Sequence, residues 1–211
     1  MTALGVKEKL SQLPTYSEEL ELDLSKPEGR FKWFLASLLF AKRISAEIAK
    51  KTYHRFEDEG LNTPGKILAA GWDRLVEVLD SGGYVRYDFS TASNLLRIMK
   101  ELKEKYGNLE EIHRQASDPK NLEKRLQEFV GVGPVGVNIF LRELRGIWGK
   151  AKPGPSRIAT EVAQRIGLKD VEFYESALVR LGLEYCKKGK CKECLVPKYC
   201  KERSSQITKR I

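Results

Sequence analysis

All four cysteines of the chain lie between Cys186 and Cys200, spaced C-x4-C-x2-C-x5-C. This grouping constrains the fold more than any other feature, because four thiols confined to one short segment imply a shared ligand or disulfides. Disulfides suit a secreted chain. The opening residues, MTALGVKEKLSQLP, have no apolar signal stretch. The longest mainly apolar run, Trp33 to Ala41, is about half of a membrane span. A soluble, cytoplasmic protein without a membrane partner is therefore expected, and with it shared ligation by Cys186, Cys191, Cys194 and Cys200. Four thiolates suit either a tetrahedral zinc ion or a [4Fe–4S] cluster. Zinc ribbons usually pair two C-x-x-C knuckles across a longer spacer, whereas Cys191–Cys194 is the single C-x-x-C here. His54 and His113 lie far away in sequence and are read as surface or core histidines.

The cysteine segment is also the most cationic part of the chain. From Cys186 to Ile211 there are nine Lys and Arg residues against Glu193 and Glu202, which is +7 of the net +9. Such a charge balance suggests a polyanion as partner, with a basic but merely solvated surface as the alternative. Lys187, Lys188 and Lys190 fall between the first two cysteines. Pinned by ligation, they would form a phosphate-binding knob. They would also offset the charge of the thiolates.

The rest of the chain reads as all-α. Helical spacing recurs in Phe31–Phe56, Trp72–Leu79, Thr91–Tyr106, Leu122–Val130, Gly136–Trp148 and Arg157–Ile166, with no strong alternating strand pairs. Breaks fall at 62–65, 81–83, 117–119 and 152–155. Thr63 and Asp118 stand where they would cap helices beginning at Pro64 and Pro119. The Pro/Gly-rich stretch at 152–155 is the best interdomain crossing.

A glycine hairpin interrupts this pattern. Gly131, Val132, Gly133, Pro134, Val135 and Gly136 join an amphipathic helix over 121–129 to an apolar one over 137–144. Two glycines around Val132 permit torsions that other residues avoid. Such a turn can aim amides outward at the start of the second helix, which suits a DNA phosphate. An ordinary helix–helix turn is the plainer reading.

A helical chain, a G-V-G hairpin and a C-terminal tetracysteine loop together resemble the endonuclease III group of helix-hairpin-helix DNA glycosylases. The resemblance covers roughly Phe31 to Cys200, with Leu126 to Leu141 matching the hairpin region and 33–39 the early helix. It implies two helical domains: a bundle over 30–147 carrying the hairpin (126–141), and a cluster domain built from 1–29 and 148–211. Double-stranded DNA would lie in the groove between them. It also implies a [4Fe–4S] cluster on the four cysteines, an intracellular, nucleoid-associated place and a monomeric state. The first cysteine spacer is x4 where the group usually has x6.

The chemistry implied is base excision from a flipped nucleotide. It needs a lysine two residues after the second hairpin glycine and an aspartate in the Pro/Gly-rich loop. This chain has Val135 in the first place and Pro155, or Ser156 one residue on, in the second. The group's early glutamine aligns with Lys42. Lys42 and Lys150, then Lys152, are the substitute amines; Glu161, Glu143 and Asp170 are the substitute acids. Base excision is therefore expected to be lost or altered in a protein that binds damaged, abasic or distorted duplex DNA. An active glycosylase with relocated groups and a zinc-stabilised nucleic-acid adaptor are the alternatives. In the loop over 81–87, Tyr84 or Val85 would wedge into the gap left by a flipped base, with Arg86 on phosphate. Tyr84 as a core residue is the competing reading.

Overall fold

The computed structural model describes residues 3–201. Among them there are helices and no strand. The helices are α1 (Ala3–Ser11), α2 (Tyr16–Glu19), α3 (Pro27–Phe40), α4 (Ala46–Asp58), α5 (Pro64–Gly82), α6 (Asp88–Glu101), α7 (Leu109–Gln115), α8 (Pro119–Gln127), α9 (Pro134–Arg142), α10 (Arg157–Ile166) and α11 (Glu175–Arg180). Wider π-turns extend α6 over Leu102–Tyr106 and α11 over Leu181–Cys186. None of these helices is long and apolar enough to cross a membrane.

Several helix starts follow from short polar side chains. The Thr63 hydroxyl accepts the Lys66 amide at 3.3 Å, and Asp118 accepts that of Asn121 at 2.9 Å. Each is followed by proline at the first helical position, where a missing N–H costs nothing. Ser45 does the same for α4, accepting the Ile48 amide at 3.2 Å. It splits the apolar segment 31–56 into α3 and α4. The break expected at 81–83 lies at Gly83 alone, whose φ of 90° closes α5. The helix expected over 136–148 ends at Arg142, and turns carry the chain onward through Trp148 to Ala151.

The chain divides into two compact units, one of residues 20–153 and one of 1–19 with 154–211. The domain bounds implied by the resemblance put crossings at 29–30 and 147–148; the contacts place them at 19–20 and at 153–154, the latter inside the Pro/Gly-rich stretch 152–155. The reason is local. Arg30 donates to Leu24 O at 2.7 Å, and Arg145 reaches Pro153 O at 2.5 Å, so both flanks are tied into the larger unit.

The larger unit packs around α3, whose Trp33, Phe34, Leu35 and Leu39 are buried. The Trp33 indole donates to Phe140 O at 3.1 Å, which fixes α9 against α3. Phe140 meets Phe34 and Trp148 edge-on. Helices α5 and α6 pair along their length, and α4 covers α5.

The smaller unit has its own core of Val6, Leu10, Val162, Ala163, Leu178 and Val196, drawn from both ends of the chain. Buried Arg180 binds that core together. It pairs with Glu19 at 2.7 Å and Glu184 at 3.0 Å, and lies over the Tyr16 ring. Gly182 is required here, because a Cβ would stand 2.5 Å from Ile158.

Candidate functional site

The hairpin between α8 and α9 is shaped by its glycines and two buried side chains. Phe129 and Val132 are buried, and the Val132 amide donates to Phe129 O at 3.1 Å. Gly131 has φ +76°, and a Cβ there would meet the Asn94 amide nitrogen at 2.5 Å. Only glycine serves at that position. Gly133 begins α9 with no side-chain cap, and Pro134 contributes no N–H. The remaining first-turn amides, together with the helix dipole, favour an anion. Gly133 faces open space, and Gly136 lies against Ala41.

Three chain segments meet around the end of α3. The Tyr84 hydroxyl donates to Leu39 O at 2.9 Å and brings the 83–87 loop there. Ala41 touches Gly136 and brings in the 41–45 turn, while Asn94 touches Gly131. Lys42 is half-buried and Arg43 exposed in that turn, neither with an ion-pair partner among the described residues. Arg43 and Asn94 are contributors that sequence reasoning missed. The signal for Arg43 was its place beside Lys42; Asn94 gave none.

Two expectations change. Tyr84 is fully buried, so it stands in the core and does not form a wedge. Burial pushes its phenol well above the ordinary tyrosine range. Val85 is the exposed apolar side chain of that loop, at 63%, and Arg86 beside it is exposed over the Tyr87 ring. Lys150, read as a substitute amine, donates to the carbonyls of His113 (3.0 Å), Arg114 (3.3 Å) and Ala116. It closes the C-terminus of α7, and a lysine held by three carbonyls is not a poised nucleophile. Val135, which the resemblance aligns with a lysine, is 63% exposed.

In the smaller unit the Pro155–Ser156 turn starts α10. Glu161 pairs with Arg157 at 2.7 Å, and Asp170 pairs with Lys7. A carboxylate that sequence reasoning passed over lies closer to the turn. Glu175 is buried and accepts the Ser156 amide at 2.8 Å.

The cysteine loop begins where α11 loosens into its π-turn. The Lys187 amide returns to Gly182 O, that of Lys190 to Tyr185 O, and that of Lys201 to Arg165 O, each at 2.9 Å. Val196 anchors the loop in the core, where Cys186, Cys194 and Cys200 also pack. Cys191 is half-buried. Burial, then the neighbouring Cys194, pushes the Cys186 thiol up, against the pull of Arg165. Burial also raises Cys194, opposed by backbone amides of Val196 and Leu195 that hydrogen-bond its sulfur. The four thiols are thus within electrostatic reach of one another.

A single tetrahedral zinc would hold sulfurs about 3.8 Å apart at its usual bond length. Among the described residues no group of three or more His, Cys, Asp or Glu side chains is gathered closely enough to hold a metal ion. The donors fit four-thiolate ligation in type, number and backbone polarity, without single-ion spacing. Lys187, Lys188, Lys192 and Lys198 are exposed around them, while Lys190 pairs with Glu193 at 3.1 Å. Arg203, Lys209 and Arg210, counted in the tail's charge, lie outside the described residues.

Compared with known proteins, the chain matches no family model and no curated protein.

Proposed function

We propose that the chain binds duplex DNA, damaged, abasic or distorted, on the plan of the endonuclease III group and without conventional base excision. The observation that carries this reading is the first turn of α9. It is uncapped and open at Gly133, lies next to the Lys42–Arg43 turn, and presents exposed Val135 where excision would need an amine. The site holds the DNA backbone and offers no nucleophile of its own.

The four thiols support a resident [4Fe–4S] cluster held by Cys186, Cys191, Cys194 and Cys200. Burial, then the charge of neighbouring thiols, raises Cys186 and Cys194, so a cation favours their joint ionisation. Amides on the Cys194 sulfur favour a coordinated thiolate. The cluster would supply a rigid scaffold for the lysines between its ligands.

Gly133→Asp tests the docking. Nothing lies within 4 Å of a Cβ there, so the fold tolerates the change while a carboxylate meets the phosphate. Duplex affinity should fall by about tenfold or more. Single-turnover incision at abasic and oxidised-base sites should stay near background, and borohydride should trap little covalent complex. Unchanged affinity in Gly133→Asp would overturn the docking.

A second reading, a glycosylase with a relocated nucleophile, draws on half-buried Lys42 beside α9. Robust turnover that disappears in Lys42→Ala would establish it.

A further inference from the structure

Trp72 lies on α5 and Phe89 on α6. They are large aromatic side chains left 40% and 59% exposed, and their rings meet at 5.3 Å with a 40° tilt. The pair is built rather than incidental. Gly71 takes φ +74° inside α5, a torsion open to glycine, and the helix restarts at Trp72. The Trp72 indole N–H donates to the Ser93 hydroxyl at 3.0 Å, and that hydroxyl donates to Phe89 O at 2.9 Å. Ser93 therefore locks the indole beside Phe89 before any ligand arrives. A preset ring loses little freedom on binding.

The surroundings select the ligand. Arg97 lies one helical turn beyond Ser93 on the same face of α6, and its side chain leans back toward Ser93. Arg86 lies in the loop leading to Phe89, with its guanidinium over the Tyr87 ring. Both are exposed and neither has an ion-pair partner among the described residues. Asp73 is the exposed acid next to Trp72; it points about 100° away around the helix. Apart from Val85 nearby in the loop, no other large apolar side chain of α5 or α6 is so exposed. A stable protein interface needs about 800 Å² from each partner around an apolar core, which two rings do not provide. One or two unpaired bases need only a ring face and a nearby cation.

We propose that Trp72 and Phe89 form a stacking platform for unpaired bases of single-stranded DNA, with Arg86 and Arg97 on the flanking phosphates. This deepens the DNA-binding reading and rests on it. It adds a second contact, made by α5 and α6 rather than by the hairpin amides, for a strand displaced or left unpaired.

The structure supplies its own probe. Of the three tryptophans, Trp33 and Trp148 are buried, so quenching of tryptophan fluorescence reports on Trp72. An oligothymidylate of about 12 nucleotides should quench the wild-type emission. Phe89→Ala should weaken its affinity about tenfold, as loss of one stacking partner does. Phe89→Leu keeps apolar surface without a stacking face and should weaken it nearly as much. Arg97→Gln should flatten the salt dependence of the same titration. Duplex affinity should be unchanged in all three variants, and Gly133→Asp should show the converse pattern. Duplex binding without quenching by oligothymidylate would overturn the platform and leave the hairpin reading standing. Failure of both duplex and single strand to bind would overturn the hairpin reading with it. Concentration-dependent self-association that Phe89→Ala abolishes would show a protein-docking patch and overturn the platform as well.

Discussion

His113 lies flat on Trp148, ring centroids 4.7 Å apart and planes within 7°, and its Nε2 is buried without a hydrogen-bond partner among the described residues. Burial, then the charge of Lys150, holds its imidazole below the ordinary histidine range, with Glu110 opposing and Arg30 adding to the depression. The unfolded chain therefore takes up the proton more readily than the folded one. Stability is complete above the unfolded value of about 6.5 and falls as pH drops through it toward the lower folded value. Urea midpoints should decline between about pH 7.5 and pH 5. His113→Phe keeps a ring on Trp148 and cannot titrate, so its midpoint should decline less. Parallel curves for the two proteins would assign the acid sensitivity elsewhere. Lys150 belongs to the same cluster, and its reassignment has the same origin. A sequence shows that a lysine is present, but not that three carbonyls at the end of α7 converge on it. Tyr84 was legible only as a pair of alternatives, because a tyrosine after two glycines suits a wedge or a core equally until its hydroxyl is seen on Leu39 O.

At the level of elements, helix starts were the most legible part of the chain. Thr63-Pro64 and Asp118-Pro119 carry their signal in adjacent residues, and the caps form there. Turns that depend on a distant neighbour were not legible. The hairpin glycines were evident, yet the need for glycine at 131 comes from Asn94 on another helix. Gly131→Ala combines a positive φ with that clash, and should cost more than the roughly 1 kcal/mol of an ordinary glycine replacement. Thermal unfolding measures this, and Asn94→Ala should recover part of the loss by removing the clash. Full stability in Gly131→Ala would mean the hairpin adopts another turn. The cysteine loop gives a second prediction for an element. Protein purified without oxygen should be brown and contain iron, and Cys194→Ser should lose iron and destabilise the packing around Val196. Stoichiometric zinc in place of iron would sink the cluster.

At the scale of the whole molecule, the smaller unit joins the segment that ends at Glu19 to the residues that follow Gly154. Tyr16 donates to Glu184 at 3.1 Å, and Arg180 pairs with Glu19. Short helices such as α1, α2 and α11 are stabilised by such remote partners rather than by their own periodicity, so helical spacing alone did not mark them. Charge, in contrast, was legible throughout, and it leads to a prediction for the full chain. On the proposed DNA-binding reading, phosphate contacts by a chain of net charge +9 release counterions, so log affinity should fall linearly with log salt. The sequence weighted Lys187, Lys188 and Lys190 equally. The structure separates them, because Lys190 already faces Glu193 while the other two carry no acidic partner among the described residues. An exposed pair is worth little to stability, but it leaves less charge free for a phosphate. Lys187→Ala with Lys188→Ala should therefore flatten the salt slope by up to about 0.9 for each lost contact, and Lys190→Ala should change it less. Fluorescence anisotropy of a labelled duplex across a salt series measures both. A slope unchanged in the double variant would remove the cysteine loop from the DNA contact and leave the hairpin to act alone.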